Sequence, residues 1–108
     1  MAVFDRQTAL RRVGGQEDLL RSVTSLFVVE CPKLVDRIEA AVGDSDPEEL
    51  TISAHTLKGS ADILAGDDVV ALALQLEKIG RSGSVDGAAD VLPELRTATD
   101  SLIAALQA

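Results

Sequence analysis

The chain has no tryptophan or tyrosine and only two phenylalanines, Phe4 and Phe27, in 108 residues. Without aromatics it lacks the stacking platforms that single-stranded nucleic acid requires. Basic residues are also scarce. Ten Lys and Arg stand against eighteen Asp and Glu, for a formal net charge of −8. An acidic surface cannot meet a phosphate backbone, so nucleic-acid binding is excluded. A single cysteine, Cys31, rules out an intramolecular disulfide and a cysteine-built metal site. It falls in an apolar stretch and reads as a small buried filler. No apolar run approaches the roughly 20 residues needed to span a bilayer. No basic segment followed by an apolar one opens the chain, so no signal peptide is expected. The expected compartment is the cytoplasm.

What is present is aliphatic. Apolar residues make up 46% of the chain, so Leu, Val, Ile and Ala must build the core, which suits interlocking helices. The length fits a single domain over 1–108. Turn signals divide it into five helical stretches. Asp5 caps a short helix over about residues 6–13, ended by Gly14-Gly15, with Phe4 as a staple. A second stretch runs from about Glu17 to Val42. Its apolar positions are Leu19, Val23, Leu26, Phe27, Leu34, Ile38 and Ala41. Pro32 lies inside it and predicts a kink, or two helices.

After the turn Gly43-Asp44-Ser45-Asp46, Asp46 caps a third helix, with Pro47 at its first position. That helix is expected to reach about Ala65 and stop at Gly66. Asp67 or Asp68 should cap a fourth, with Val69, Leu72, Ala73, Leu76 and Ile79 on one face and Gly80 and Gly83 marking its end. The fifth begins near Val85, Asp86 or Pro93 and reaches about Gln107, with Val91, Leu95, Ala98, Leu102 and Leu106 as its stripe. No period-two strand pattern appears. Short turns predict an all-α fold: an up-down-up-down antiparallel four-helix bundle with a short extra N-terminal helix as a lid.

The chemistry lies in Ala54-His55-Thr56-Leu57-Lys58-Gly59-Ser60-Ala61. On a helix, Leu50, Ala54, Leu57, Ala61 and Leu64 form one core seam. His55, the only histidine, then points about 140° away from that seam, toward water. Alone, an exposed histidine is an idle surface residue; its neighbours change that. Lys58 lies three residues on, on the same side, where its ammonium can offset the charge of a phosphoryl group on the imidazole. Gly59 lies four residues on. A mid-helix glycine costs about 1 kcal/mol relative to alanine, and a bare backbone there lets a partner's active site approach. The bland alternative is a packing notch. Ile52 and Ile63 flank the histidine as an apolar docking rim, and Asp62 joins the same candidate partner surface. Neutral imidazole is a competent nucleophile near pH 7. A carrier needs no more, provided its partner supplies the aspartate and the metal.

The segment A-H-T-L-K-G-S-A at 54–61, followed by Leu72, Leu76-Glu77 and Gly80-Arg81, resembles the histidine phosphotransfer (HPt) domains of multistep phosphorelays. So does the opening F-D-R-Q-T-A-L-R-R-V-G-G-Q-E-D-L-L. The resemblance implies that His55 is phosphorylated, on Nε2, that Lys58 stabilises the phosphoryl group, and that Gly59 gives receiver access. It also places Arg81 as a basic residue facing the same site; the residues alone equally allow an ion pair with Glu77. The family often has Gly-Ala after the histidine helix where this chain has Ala65-Gly66, which predicts a turn shifted by one residue.

The partners implied are receiver domains of response regulators or hybrid kinases, with Mg²⁺ on the receiver, no cofactor or metal on this chain, no membrane insertion and a monomeric state. Lys58, Lys78 and Arg81 are expected to form a small positive patch suited to a receiver's acidic pocket. Two alternatives stand beside the carrier: the phospho-accepting first domain of a chemotaxis-type kinase, and a helical interaction module that is never phosphorylated. An autonomous enzyme is disfavoured, because no Gly-rich phosphate loop follows a strand and the acidic pairs Asp67-Asp68 and Glu48-Glu49 are explained by helix starts.

Overall fold

The computed structural model describes residues 4–108; residues 1–3 of the expected domain lie outside the described residues. Among these the chain forms five α-helices and no strand: α1 (Arg6–Arg12), α2 (Glu17–Gly43), α3 (Pro47–Ile63), α4 (Asp67–Arg81) and α5 (Ala88–Gln107). The helices α2 to α5 pack in a ring. Each touches its neighbour in sequence, and α2 closes on α5. The short turns make neighbours antiparallel, as an up-down-up-down bundle requires. Among the described residues, no helix is long and apolar enough to cross a membrane.

The caps follow local chemistry. Asp5 accepts a hydrogen bond from the Thr8 amide, and Asp46 accepts one from the Glu49 amide with Pro47 behind it, satisfying donors the helix leaves free. The first three helices end alike. The amide of Gly15 donates to Leu10 O, that of Asp46 to Ala41 O and that of Gly66 to Ala61 O. In each the preceding residue is left-handed: Gly14 (φ 70), Ser45 (φ 53) and Ala65 (φ 55). This is the Schellman closure. The third of these turns corrects two expectations. Gly66 does not stop α3; Ala65 takes the left-handed position. Neither Asp67 nor Asp68 caps α4; Gly66 is its N-cap, and both aspartates sit in the first turn. A Cβ at Gly66 would lie 2.6 Å from Leu102 Cδ2, so the end of the Leu102 side chain would have to shift to admit one.

The α3 seam is as expected: Leu50, Ala54, Leu57, Ala61 and Leu64 are all fully buried. In α2 the buried side is Leu20, Phe27, Cys31, Leu34, Val35, Ile38 and Ala41. Leu19 and Leu26 are 43% and 63% exposed, which corrects their place in the expected stripe. At each adjacent apolar pair, Leu19-Leu20 and Leu26-Phe27, the bundle buries the second residue. Helix α2 runs unbroken through Pro32. Pro32 is exposed, and the core residues on either side hold the helix across the hydrogen bond it lacks. Pro93 likewise lies inside α5, which starts at Ala88 after a left-handed Gly87. Phe4 packs against the core and Ala9 of α1 is fully buried, so α1 lies over one end of the bundle.

Candidate functional site

Helix α3 places its seam inward and its opposite face outward, so the His55 side chain is 61% exposed. Gly59 is exposed one turn on. A Cβ built there meets nothing within 4 Å, which removes the packing-notch reading of this glycine. The true notch is Gly80. It is the last residue but one of α4, at the helix end expected of it with the left-handed Gly83 just beyond, and it lies buried against α3. A Cβ at Gly80 would lie 2.3 Å from Thr51 Oγ1, 2.8 Å from Pro47 O and 2.9 Å from Thr51 N. Only glycine lets α4 come this close.

That approach brings Glu77, one turn earlier, under the histidine. Glu77 is 1% exposed. Its Oε2 lies 3.2 Å from His55 Nδ1 and 2.6 Å from the Arg81 guanidinium, and its Oε1 lies 2.7 Å from Lys58 Nζ. Among the described residues that buried oxygen accepts no hydrogen bond from any other group and is met by Lys58 in an ion pair. The Lys58 ammonium first, and then His55 and Arg81, hold the Glu77 carboxyl below its ordinary value against the opposing effect of burial. Two permanent cations thus face one carboxylate beside the imidazole. Both alternatives for Arg81 hold together: it pairs with Glu77 and faces the site. Among the described residues Lys78 is exposed and makes no ion pair, whereas Lys58 and Arg81 both pair with Glu77.

Glu77 is the residue the sequence reasoning passed over. Its signal was present: Ala73, Leu76, Glu77 and Gly80 share the buried side of α4, and a charge on a core stripe needs a partner.

The other flank of His55 is apolar. Ile52 and Ile63 are 49% and 44% exposed. Beyond Ile63 and Thr56 a groove of about 360 Å³ runs between α3 and α2, walled by Val23, Leu26, Phe27 and Leu34. Asp62 is exposed, but its carboxylate and backbone carbonyl are engaged by Arg12 of α1. This surface pair links α3 to the N-terminal helix. Histidine 55 therefore stands on a ridge, with buried charge on its α4 side and open apolar surface on its α2 side.

A family model for the Hpt domain matches residues 22–106. None of the curated proteins searched matches the chain at a significant level. Two solved structures are similar in fold. One is the HPt domain of a sensor hybrid histidine kinase from Shewanella, at 16% identity and TM-score 0.86. The other is histidine-containing phosphotransfer protein B of Pseudomonas aeruginosa, at 17% identity and TM-score 0.88. In both cases the alignment covers 97% of this chain and 91% of the other. At such identity the likeness concerns the fold, while the family model spans most of the sequence, His55 included: the chain belongs to the Hpt domain family.

Proposed function

We propose that this domain carries a phosphoryl group on His55 between receiver domains in the cytoplasm. The observation that carries this is the setting of the lone histidine: an exposed imidazole on a rigid, fully packed helix, next to the bare backbone of Gly59. In the forward step a ring nitrogen attacks the phosphorus of a partner's aspartyl phosphate, and the carboxylate leaves with its electron pair. In the return step a second carboxylate takes the phosphoryl group away. The partner supplies the aspartate and Mg²⁺. This chain supplies the nucleophile and, through Lys58 and Arg81, positive charge that offsets the phosphoryl oxygens. It has no turnover of its own. Ile52, Ile63 and the α2–α3 groove supply apolar contact for the receiver, and Gly59 supplies clearance. Asp62, exposed beside Ile63 and paired with Arg12, belongs to the same candidate surface.

The test is a two-way transfer. The protein is mixed with radiolabelled phospho-receiver and Mg²⁺, purified, and chased with a second, unlabelled receiver. Label that enters and then leaves supports a carrier. Label that enters only from a kinase catalytic domain with ATP supports the chemotaxis-type reading instead. No label from either donor supports an unphosphorylated interaction module.

A further inference from the structure

Gly80 lets α4 press onto α3. On its other flank α4 meets α5, which holds no glycine and is joined to it by the stretch 82–87, longer than the other turns. The two helices part there, leaving a groove of about 620 Å³. Leu72 lies about 140° around α4 from Glu77, so the groove opens on the side away from His55. Leu72 and Ala98 are half-buried in it and pack against the core. The exposed Ala71 and Pro93 continue the apolar lining. Its charged groups are Asp68 on α4 and Glu94 on α5, and no lysine or arginine lines it. Among the described residues neither carboxylate is met by a cation. Arg96, the only basic residue of α5, is turned to Asp36 and Glu39 of α2. Lys78 of α4 is exposed but does not line the groove.

Charge separates the occupants. A second copy of the chain, at net charge −8, would bring its own acids against Asp68 and Glu94, and like charges disfavour that contact. A helix with an apolar stripe flanked by lysine or arginine fits both features: its stripe covers the apolar lining, and its cations meet one carboxylate on each wall. We propose that the α4–α5 groove is a docking site for a cationic amphipathic helix of a partner other than the receiver. The ring order of α2 to α5 sets this groove across the bundle from the one between α2 and α3. A partner seated here leaves His55 and Gly59 open. One face of the domain then holds it in place while another exchanges phosphoryl groups.

The probe is a synthetic Leu/Lys peptide with its leucines at helical spacing, added to the ¹⁵N-labelled full chain. It should bind saturably and shift the amides of Ala71, Leu72, Thr97 and Ala98. Added salt should weaken it, because the paired charges lie at the surface. Ala71→Arg and Glu94→Lys should each weaken it by about 10-fold. Both positions are exposed, so both variants should melt as wild type does and take label from a receiver at the wild-type rate. A Leu/Glu peptide of the same pattern that binds equally well would remove charge as the cause and overturn the proposal. A Gln/Lys peptide that binds equally well without leucines would remove the apolar lining and do the same. Shifts centred on Phe27 and Ile63 would put the peptide in the α2–α3 groove and overturn it, as would no binding at all. Shifts at Ala71 and Ala98 that grow with protein concentration alone would show a second copy there instead, and also overturn it. The proposal does not rest on the carrier reading: peptide shifts at Ala71 and Ala98, with no label on His55 from any receiver, would end that reading and leave the docking site standing.

Discussion

Replacing Gly80 by alanine and Gly59 by alanine makes the same chemical change on two adjacent helices, and the structure demands opposite results. Gly59 lies in the interior of α3 and Gly80 next to the last residue of α4, so alanine gains about 1 kcal/mol of helix propensity at the first and at most that at the second. At Gly59 nothing lies within 4 Å of the new methyl group, and the gain stands alone. At Gly80 the methyl would sit 2.8 Å and 2.9 Å from backbone atoms of Pro47 and Thr51. Backbone inside a packed helix cannot swing aside, so α4 must move off α3. Overpacking of this kind costs about 1–3 kcal/mol, and fixed backbone neighbours put Gly80 at the upper end. The net is a loss of about 1–2 kcal/mol. For a domain of this length, 1 kcal/mol moves the melting temperature by about 4 °C. Thermal unfolding followed by circular dichroism should place Gly59→Ala about 4 °C above wild type and Gly80→Ala about 4–8 °C below it. A Gly80→Ala protein as stable as wild type, or a destabilised Gly59→Ala, would refute the reasoning. Function should part from stability: Gly59→Ala, though more stable, should transfer phosphoryl groups more slowly because the methyl lies in the receiver's path.

Further outcomes follow from other positions. Ala65→Gly should stabilise the protein by about 0.5–1 kcal/mol in urea unfolding, since alanine is strained in the left-handed turn it occupies; a loss of stability would contradict that account of the turn. The folded Glu77 carboxyl titrates below its ordinary value of 4.5, with Lys58 the largest cause. Its ionisation therefore contributes stability that is fully present above about pH 4.5 and is lost as pH falls through the lower folded value. The stability gap between wild type and Glu77→Gln, measured by urea unfolding, should be constant near neutral pH and narrow in acid; a gap independent of pH would show that the charge contributes nothing. Burial pushes the Cys31 thiol up to about 11, so a thiol reagent at neutral pH should react with it only after unfolding. Fast reaction in the folded protein would show α2 opening locally.

The helical bundle and the histidine ridge were legible because both rest on local periodicity. The seam at 50, 54, 57, 61 and 64 dictates where His55 points, whatever packs against it. Caps at Asp5 and Asp46 are equally local. The junction between α3 and α4 was not legible, because it is a long-range fit. Gly80 reads only as a helix end until Thr51 and Pro47 are placed against it, and Glu77 reads as an i,i+4 partner of Arg81 until α4 turns it inward under His55 and Lys58. Leu26 shows the same limit from the other side. Its spacing suits a core stripe, yet α3 covers Phe27 instead and leaves Leu26 walling the groove beside the site.

The central claim is that His55 is the residue that bears the phosphoryl group. The most direct measurement is the label retained by wild type and by His55→Gln after incubation with a phosphorylated receiver and Mg²⁺. The side chain is largely exposed, so His55→Gln should fold as wild type does. Acid-labile, alkali-stable label on the wild type and none on His55→Gln is the predicted result. Equal label on both proteins would contradict the account and move the phosphoryl group to another residue.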